Sequence, residues 1–424
     1  MRAAAALLVV LAAGTLPGNA KLASMHSLAR QDPAAPPRIG HFRLSRPGDG
    51  DDFDPSPEGI RGFCATKGLQ PLQRPARIIE VMSFLRETHL LATKLRELHD
   101  IVDTFVVVEG TTTFSGEPVR PWLREGLLSE LGPWLGNKVI ALTQDGLPPC
   151  ADIAPRLVNV TDVKLPDASE PLGAWKCNWA YETERRRVGL SYVLERLGVQ
   201  DSDLVVVSDA DEVMSRSVAR VLKYCNTSKP DSRPDVVVPL MSLHYFGLMF
   251  HNPSMWTTLF AIRGWRLKEV GAVRASLVRL GMSSAIGDTL HGREMVIVEG
   301  GWHMSFFQSD KAMRRKLVLQ PHHELQHPRL LDPQRIRACQ RGGMDIYGRP
   351  YFHLMSAEEA AERNIILRPA TYLRQYGPQS LPRLFTEYPD VFANRRQWVP
   401  GSRVVPSGAD ADALWAECVI QDRE

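Results

Sequence analysis

The chain has 424 residues, of which 44% are hydrophobic and 23% charged, and these values are ordinary for a globular protein. Its length accommodates two average domains or one large α/β domain with extensions. The 51 basic residues are almost balanced by 48 acidic ones, and the net charge of +3 argues against a nucleic-acid-binding protein.

The N-terminal residues predict entry into the secretory pathway. After Met1 and Arg2 the chain is apolar over about fourteen residues, which is short for a bilayer span of about twenty. Small residues follow at a spacing suited to signal-peptidase cleavage. We interpret residues 1–20 as a signal peptide or, alternatively, as a short signal-anchor. Acceptor patterns for N-glycosylation at Asn159 and Asn226 and an even number of cysteines agree with this destination, although the sequence does not select a disulfide pairing.

Beyond this segment the chain divides into three parts. Residues 21–75 are rich in Pro, Gly, Asp and Arg and predict a flexible stem, whose end Cys64 could attach to the body. Residues 76–394 carry the periodic patterns of a folded domain. In residues 395–424 the pattern fades, which predicts a peripheral tail.

Helical and strand patterns alternate within residues 76–394. Apolar residues at helical spacing between Phe84 and Val102 predict one helix, and residues 175–197 predict another that ends before Gly198. Asp332 and Pro333 are typical of a further helix start. Short apolar runs predict strands at residues 105–108, 139–142, 204–207, 236–238 and 295–298. This alternation predicts an α/β fold with a mainly parallel central sheet flanked by helices.

Three carboxylates directly follow the predicted strand at residues 204–207. Alternate residues of an extended chain point to the same side, so Asp209 and Asp211 can face one small volume. Ligands of open α/β sheets bind beyond the carboxyl ends of the strands, and two oxygen donors there suit Mg²⁺ or Mn²⁺ with a phosphate-bearing substrate. A solvated acidic turn is the plain alternative; the buried strand favours the metal site, with Glu212 in support.

Other residues are candidates for the same site. His303 could be a third metal ligand and Trp302 could stack on a sugar or base, although both could equally belong to the core. Arg185 and Arg186 could bind a diphosphate through their bidentate forks, or lie on an exposed helix. Glu324 and Asp345 are candidates for a general base, and residue type does not separate them. The aromatic segment 244–256 could face a sugar acceptor or pack in the core.

These motifs, in this order, resemble glycosyltransferase family 17, the family of the β-1,4-mannosyl-glycoprotein 4-β-N-acetylglucosaminyltransferases. The resemblance rests on residues 102–109, 114–118, 208–212, 301–305, 322–324 and 343–349. It implies a GT-A-like nucleotide-sugar transferase fold over residues 76–394. It also implies an inverting, metal-assisted enzyme that moves N-acetylglucosamine from UDP-GlcNAc to a mannose of a protein N-glycan in β-1,4 linkage.

The resemblance implies roles for residues and partners as well. The cofactor would be Mn²⁺ or Mg²⁺, and its candidate ligands are Asp209, Asp211, Glu212 and His303. By resemblance and position, Glu109 would lie at the nucleotide, where Arg185, Arg186 and Trp302 are the other candidates. The expected partners are a nucleotide sugar and a glycoprotein N-glycan, and the expected location is the Golgi lumen or membrane, with anchoring through the N-terminus.

Two other functions fit the same residues. A metal-dependent phosphoesterase of the secretory pathway would need ligands for two cations, whereas only one tight acidic cluster is visible. A non-catalytic, Ca²⁺-dependent glycan-binding module would use the aromatic residues for the glycan and the acidic cluster for the ion.

Overall fold

The computed structural model describes residues 40–43, 53–114, 116, 118–153, 174–226, 236–246, 250–278, 294–308, 310–322, 328–342, 344–347 and 355–356. The strands in these ranges are β1 (Gly40–Arg43), β2 (Gln70–Pro71), β3 (Ile78–Ser83), β4 (Thr104–Gly110), β5 (Val139–Gln144), β6 (Leu204–Asp209), β7 (Glu212–Met214), β8 (Cys225–Asn226), β9 (Val236–Tyr245), β10 (Phe250–Trp256), β11 (Phe260–Arg263), β12 (Glu294–Ser305) and β13 (Met355–Ser356). The helices are α1 (Pro57–Thr66), α2 (Thr88–Leu98), α3 (Leu128–Leu131), α4 (Ala174–Arg196), α5 (Arg216–Tyr224), α6 (Gly264–Val278), α7 (Asp310–Leu319) and α8 (Pro333–Gly342).

One large sheet organises the described residues, in the order β1-β12-β9-β11-β6-β3-β4-β5. Strands β6, β3, β4 and β5 run parallel to one another, and β1, β12 and β9 form a second parallel group. Between the two groups, β11 runs antiparallel to both β6 and β9, and β7 and β10 also pair antiparallel. The sheet is therefore mixed, with two parallel groups of strands joined through the antiparallel strand β11, which the sequence did not predict. Because parallel strands share a direction, the carboxyl ends of β3, β4 and β6 lie at one edge.

Helices cover both faces of this sheet. Along β3, Ile78 and Met82 pack with α2 and α5, whereas Ile79 and Val81 pack on the opposite face with residues of α4 and α6. This alternation follows from the two-residue period of a strand. The result is an α/β sandwich with a buried layer on each side, as the sequence predicts.

Most of the predicted elements are confirmed. Each of the five predicted strands lies within an observed strand, and the helix predicted at residues 175–197 is α4, followed by Gly198 with a positive φ of 57°. The N-cap predicted at Asp332 is also confirmed, since its carboxylate accepts a hydrogen bond from the amide of Gln334 at 2.9 Å. None of the helices in the described ranges is long and apolar enough to cross a bilayer.

The folded body begins before the predicted boundary at residue 76. Helix α1 packs against the core through Cys64, and Phe53 stacks on Tyr224 with ring centroids 5.1 Å apart. A disulfide joins Cys64 to Cys225, and a second joins Cys150 to Cys177. The end of the predicted stem is thus fixed to the body, as expected for Cys64.

We expect the Cys64–Cys225 disulfide to stabilise the fold more than the second one does. It closes a loop with a sequence separation of 161, compared with 27 for Cys150–Cys177. Longer loops lose more entropy on cross-linking, so the double serine variant at 64 and 225 should lose about 2–5 kcal/mol of unfolding free energy. Chemical denaturation of the two double variants measures this, and an equal or smaller loss at 64 and 225 would contradict the argument.

Candidate functional site

A small cleft, with a cavity volume of about 10 Å³, lies at the carboxyl ends of β3 and β4. Arg86, directly after β3, places its guanidinium 4.0 Å from the ring centroid of Trp122, and burial together with nearby Arg315 lowers the pKa of Arg86. The Nη2 atom of Arg86 is buried and has no hydrogen-bond partner among the described residues. The residues that line the cleft are Phe84, Leu85, Arg86, Glu109, Gly110, Val119, Arg120, Trp122 and Arg185.

Arg185 reaches the cleft from α4, under the end of β4. Its Nη2 donates to the carbonyl oxygen of Thr112 at 2.7 Å, and its guanidinium lies 4.4 Å from the ring centroid of Phe114. A Cβ atom at Gly110 would come within 2.1 Å of this Nη2, so the close approach requires glycine there. Burial lowers the pKa of Arg185 to about 10, which leaves the side chain positively charged at neutral pH.

Glu109 shapes the wall of the cleft. Its two carboxylate oxygens accept hydrogen bonds from the backbone amides of Leu123 and Arg124, both at 2.9 Å, and from the hydroxyl of Thr143 at 3.2 Å. The carboxylate therefore fixes the segment that carries Trp122. Glu109 thus lies at the cleft, although its oxygens are engaged by protein donors.

Asp209 is the last residue of β6, the strand next to β3, and Asp211 follows two residues later. Asp209 has a side chain that is 27% exposed and receives hydrogen bonds from Nη2 of Arg186 at 3.1 and 3.2 Å. Arg186 also pairs with Glu182, while its buried Nε and Nη1 atoms have no partner among the described residues. The predicted Asp-x-Asp is therefore at the expected edge, with Asp209 paired to an arginine from α4.

Asp211 is buried against a lysine that the sequence did not single out. The Nζ atom of Lys316, on α7, lies 2.7 Å from Oδ2 of Asp211 and 3.0 Å from Oε1 of Glu87. Burial opposes both charges, yet Lys316 and His303 hold the pKa of Asp211 well below its usual range. In the same way the two carboxylates outweigh burial and raise the pKa of Lys316. Asp211, Glu87 and Lys316 thus form a buried, salt-bridged cluster.

Glu212 has a different position from its two neighbours. It is fully buried and accepts hydrogen bonds from the backbone amide of Asp209, from the indole of Trp256 and from the hydroxyl of Thr258. These donors tie the acidic turn to the segment after β10. Glu212 thus supports the turn rather than facing the Lys316 cluster.

His303 and Trp302 lie on β12, next to β7. The Nε2 atom of His303 is 3.5 Å from Oδ2 of Asp211, and its ring centroid is 4.1 Å from that of Trp256. Adjacent residues of a strand point to opposite faces, so Trp302 does not share this side with His303. Gly301, with φ of 139°, lets β12 approach β7 closely, because a Cβ there would lie 2.1 Å from the carbonyl oxygen of Val213.

A buried ion pair supports the strand end that carries the acidic turn. Lys94 of α2 pairs with Glu80 of β3 at 2.8 Å, and both side chains are fully buried. The same ammonium donates to the backbone oxygen of Asp209 at 2.8 Å, and Ser208 donates its hydroxyl to Glu80 at 2.8 Å. These contacts fix where β6 ends and hence where the two aspartates project.

The two candidates for a general base are Glu324 and Asp345. Glu324 lies outside the described residues. Asp345 is buried in the part of the core that contains Ile346 and Tyr347, and its charge acts on Arg335 of α8. The aromatic segment is divided: Tyr245 and Phe246 pack in the same core, whereas Trp256 stacks on His303 beside Asp211.

The donor types at the acidic turn suit a hard divalent cation, because Asp211 offers a carboxylate and His303 an imidazole close to it. Both aspartates of the turn are nevertheless engaged by protein cations, Asp211 by Lys316 and Asp209 by Arg186. Within the described ranges no group of three or more His, Cys, Asp or Glu side chains is arranged to hold a metal ion. The residues fit such an ion only if Lys316 leaves Asp211.

Comparison with known proteins identifies relatives for part of the chain. The model of glycosyltransferase family 17 matches residues 56–125, which confirms the resemblance to that family. Curated proteins named β-1,4-mannosyl-glycoprotein 4-β-N-acetylglucosaminyltransferase, from Rattus norvegicus and Homo sapiens, are each 27% identical over 156 residues. These alignments cover 37% of this chain and 25% of each relative. The chain thus spans about a quarter of the length of the curated relatives that it matches.

Solved structures give weaker similarities. A crystal structure of 4-diphosphocytidyl-2C-methyl-D-erythritol synthase aligns with 57% of this chain and all of that chain, at 12% identity and a TM-score of 0.30. The apo structure of the bifunctional glycosyltransferase WbbM covers 53% of this chain and 39% of that chain, at 10% identity and a TM-score of 0.25. Scores this low carry no argument about the site.

Proposed function

We propose that this chain, whose residues 56–125 match glycosyltransferase family 17, is a nucleotide-sugar-dependent glycosyltransferase with a GT-A-like fold. Its proposed reaction transfers N-acetylglucosamine from UDP-GlcNAc to a mannose of a protein N-glycan, in β-1,4 linkage and with inversion. The observation that carries the proposal is the meeting of two features at one sheet edge. A cationic, aromatic cleft follows β3 and β4, and an acidic turn follows the adjacent parallel strand β6.

The cleft supports a role in donor binding. The Arg86 guanidinium lies against the aromatic ring of Trp122, and Arg185 adds a positive charge that is buried. A nucleoside diphosphate carries a flat base and negative charge, so stacking and charge-assisted hydrogen bonds would recognise both of its parts. In the reaction, fixed positive charge would stabilise the diphosphate as it departs.

We also propose that a metal ion and a general base take part in the reaction. Mn²⁺ or Mg²⁺, held by Asp211 with Asp209 and His303, would supply positive charge to the departing diphosphate. Inversion requires one base to take the proton of the acceptor hydroxyl as its oxygen attacks the anomeric carbon. Glu324 and Asp345 remain the two candidates for that base.

We further propose that the enzyme acts in the lumen of the secretory pathway, in the Golgi lumen or at its membrane. The two described disulfides support this, because disulfides persist in oxidising compartments. Anchoring through the N-terminal residues belongs to the same proposal. The acceptor expected there is the N-glycan of a glycoprotein.

The function is tested by measuring UDP release from a panel of UDP-sugars, with and without N-glycan acceptors. We expect turnover with UDP-GlcNAc in the wild type and a donor KM raised about tenfold in Arg86→Ala, because one charge-assisted contact is worth about 1.5 kcal/mol or more. The matched control is Arg61→Ala, whose side chain pairs with Glu58 on the exposed surface of α1 and should leave KM unchanged.

Other outcomes would contradict the proposal and identify the alternatives. Release of phosphate from simple esters without use of any UDP-sugar would indicate a phosphoesterase. Retention of glycan without turnover would indicate a binding module. Turnover of UDP-GlcNAc with an unchanged donor KM in Arg86→Ala would support a transferase but would show that the cleft is not its donor site.

A further inference from the structure

We propose that the ammonium of Lys316 occupies the cation position of the Asp211 site, so that a divalent metal ion binds there only by displacing this side chain. The proposal concerns the protein's own charges and does not depend on the identity of the donor or the acceptor. It adds Lys316 and Glu87 to a site for which the sequence offered only residues 209–212 and His303.

The geometry places Lys316 where a bound ion would be. Its Nζ atom lies between two carboxylate oxygens from different elements, 2.7 Å from Asp211 and 3.0 Å from Glu87. These distances are those of charge-assisted hydrogen bonds, and a metal ion bridging the same oxygens would need the same space. Glu87 also accepts from the backbone amide of Arg86, so the cluster adjoins the wall of the cleft.

His303 is a second and independent indication of a ligand site. The residue is only 7% exposed, and its Nδ1 atom has no hydrogen-bond partner among the described residues. Its Nε2 atom faces Asp211 at 3.5 Å, at the outer limit of a hydrogen bond. Nε2, the nitrogen that faces Asp211, is therefore placed to ligate an ion held by that carboxylate, whereas Nδ1 is the nitrogen without a partner.

Charge decides how Lys316 and a metal ion would interact. Two carboxylates and one ammonium leave the cluster with one net negative charge when His303 is neutral. A divalent ion added beside the ammonium would be repelled at about 3 Å in a site with little solvent, whereas an ion that replaces it would neutralise both carboxylates. Exchange is therefore favoured over joint occupancy. Lysine has a flexible four-carbon side chain, through which the ammonium could move while α7 stays in place.

Titration of the full chain with Mn²⁺, followed by electron paramagnetic resonance of the free ion, tests this directly. We expect Lys316→Met to bind Mn²⁺ at least about tenfold more tightly than the wild type, because the competing charge is gone. Adding Asp211→Asn to that variant should abolish the gain. Lys311→Met is the matched control, since Lys311 is exposed on the same helix and should leave the affinity unchanged.

Removing Lys316 alone leaves two facing carboxylates, so the variant Lys316→Met with Glu87→Gln is measured as well. It keeps a single buried charge and should also bind Mn²⁺ more tightly than the wild type. Equal or weaker affinity in both variants, an absence of measurable binding, or a gain that survives Asp211→Asn would each overturn the proposal. The titration uses no substrate, so its result is separate from a failure to find UDP-sugar turnover.

Discussion

Asp211→Asn is expected to lower the rate of donor turnover by about 10²–10³-fold while the protein keeps its fold, because a preorganised electrostatic group is lost from the reacting centre. In the proposed reaction Asp211 holds the cation, ammonium or metal, that faces the departing diphosphate. Asparagine keeps the shape of the side chain but not its charge. The buried Lys316 retains Glu87 as a partner at 3.0 Å, so the substitution leaves no isolated buried charge.

The experiment compares UDP release by the wild type and by Asp211→Asn under the same donor concentrations. Asp201→Asn is the matched control, because Asp201 is an exposed aspartate that pairs with Lys268 on the surface and is not part of the acidic turn. Circular dichroism and thermal unfolding establish that the fold is retained. Equal turnover in Asp211→Asn and the wild type would remove the acidic turn from the mechanism.

The central part of this site could be predicted because its signals are local. A β-branched run followed by Asp209 and Asp211 defines both a buried strand and the direction of its side chains. The rule that ligands bind at the carboxyl ends of strands then gives the position. The same reasoning located Glu109 at the end of β4. Arg185 and Arg186 were found as candidates because charged side chains concentrate near the start of α4.

Lys316 and Glu87 could not be found in this way. Lys316 lies on α7 and Glu87 directly precedes α2, so the two meet Asp211 only through the tertiary fold, and neither has a local pattern that distinguishes it from other charged residues. Arg86 and Trp122 present the same difficulty, since their stacking depends on how the segment after β4 folds back over β3. The antiparallel strand β11 was not predicted for a related reason: a short strand has the same composition in either direction.

The position of Glu80 in the sequence is enough to predict a buried ion pair. A carboxylate in the middle of the otherwise apolar strand Ile78–Ser83 must be paired, because an isolated buried charge is too costly. Its partner Lys94 lies among the buried apolar residues of α2, where a lysine is equally unexpected. Two misplaced opposite charges in adjacent elements indicate a buried ion pair. This one lies directly behind the acidic turn.

We expect Lys94→Met to lower the unfolding free energy by about 3–5 kcal/mol, because it leaves the Glu80 carboxylate buried without a counter-ion. Methionine has a similar length, so packing changes little. The double variant Lys94→Met with Glu80→Gln removes both charges and should recover most of the loss, which chemical denaturation of the single and double variants would measure. If the double variant were as unstable as the single one, the lost stability would come from the hydrogen bond of Lys94 to the backbone of Asp209. The ammonium would then act chiefly by holding the turn in place, and donor turnover would fall together with stability.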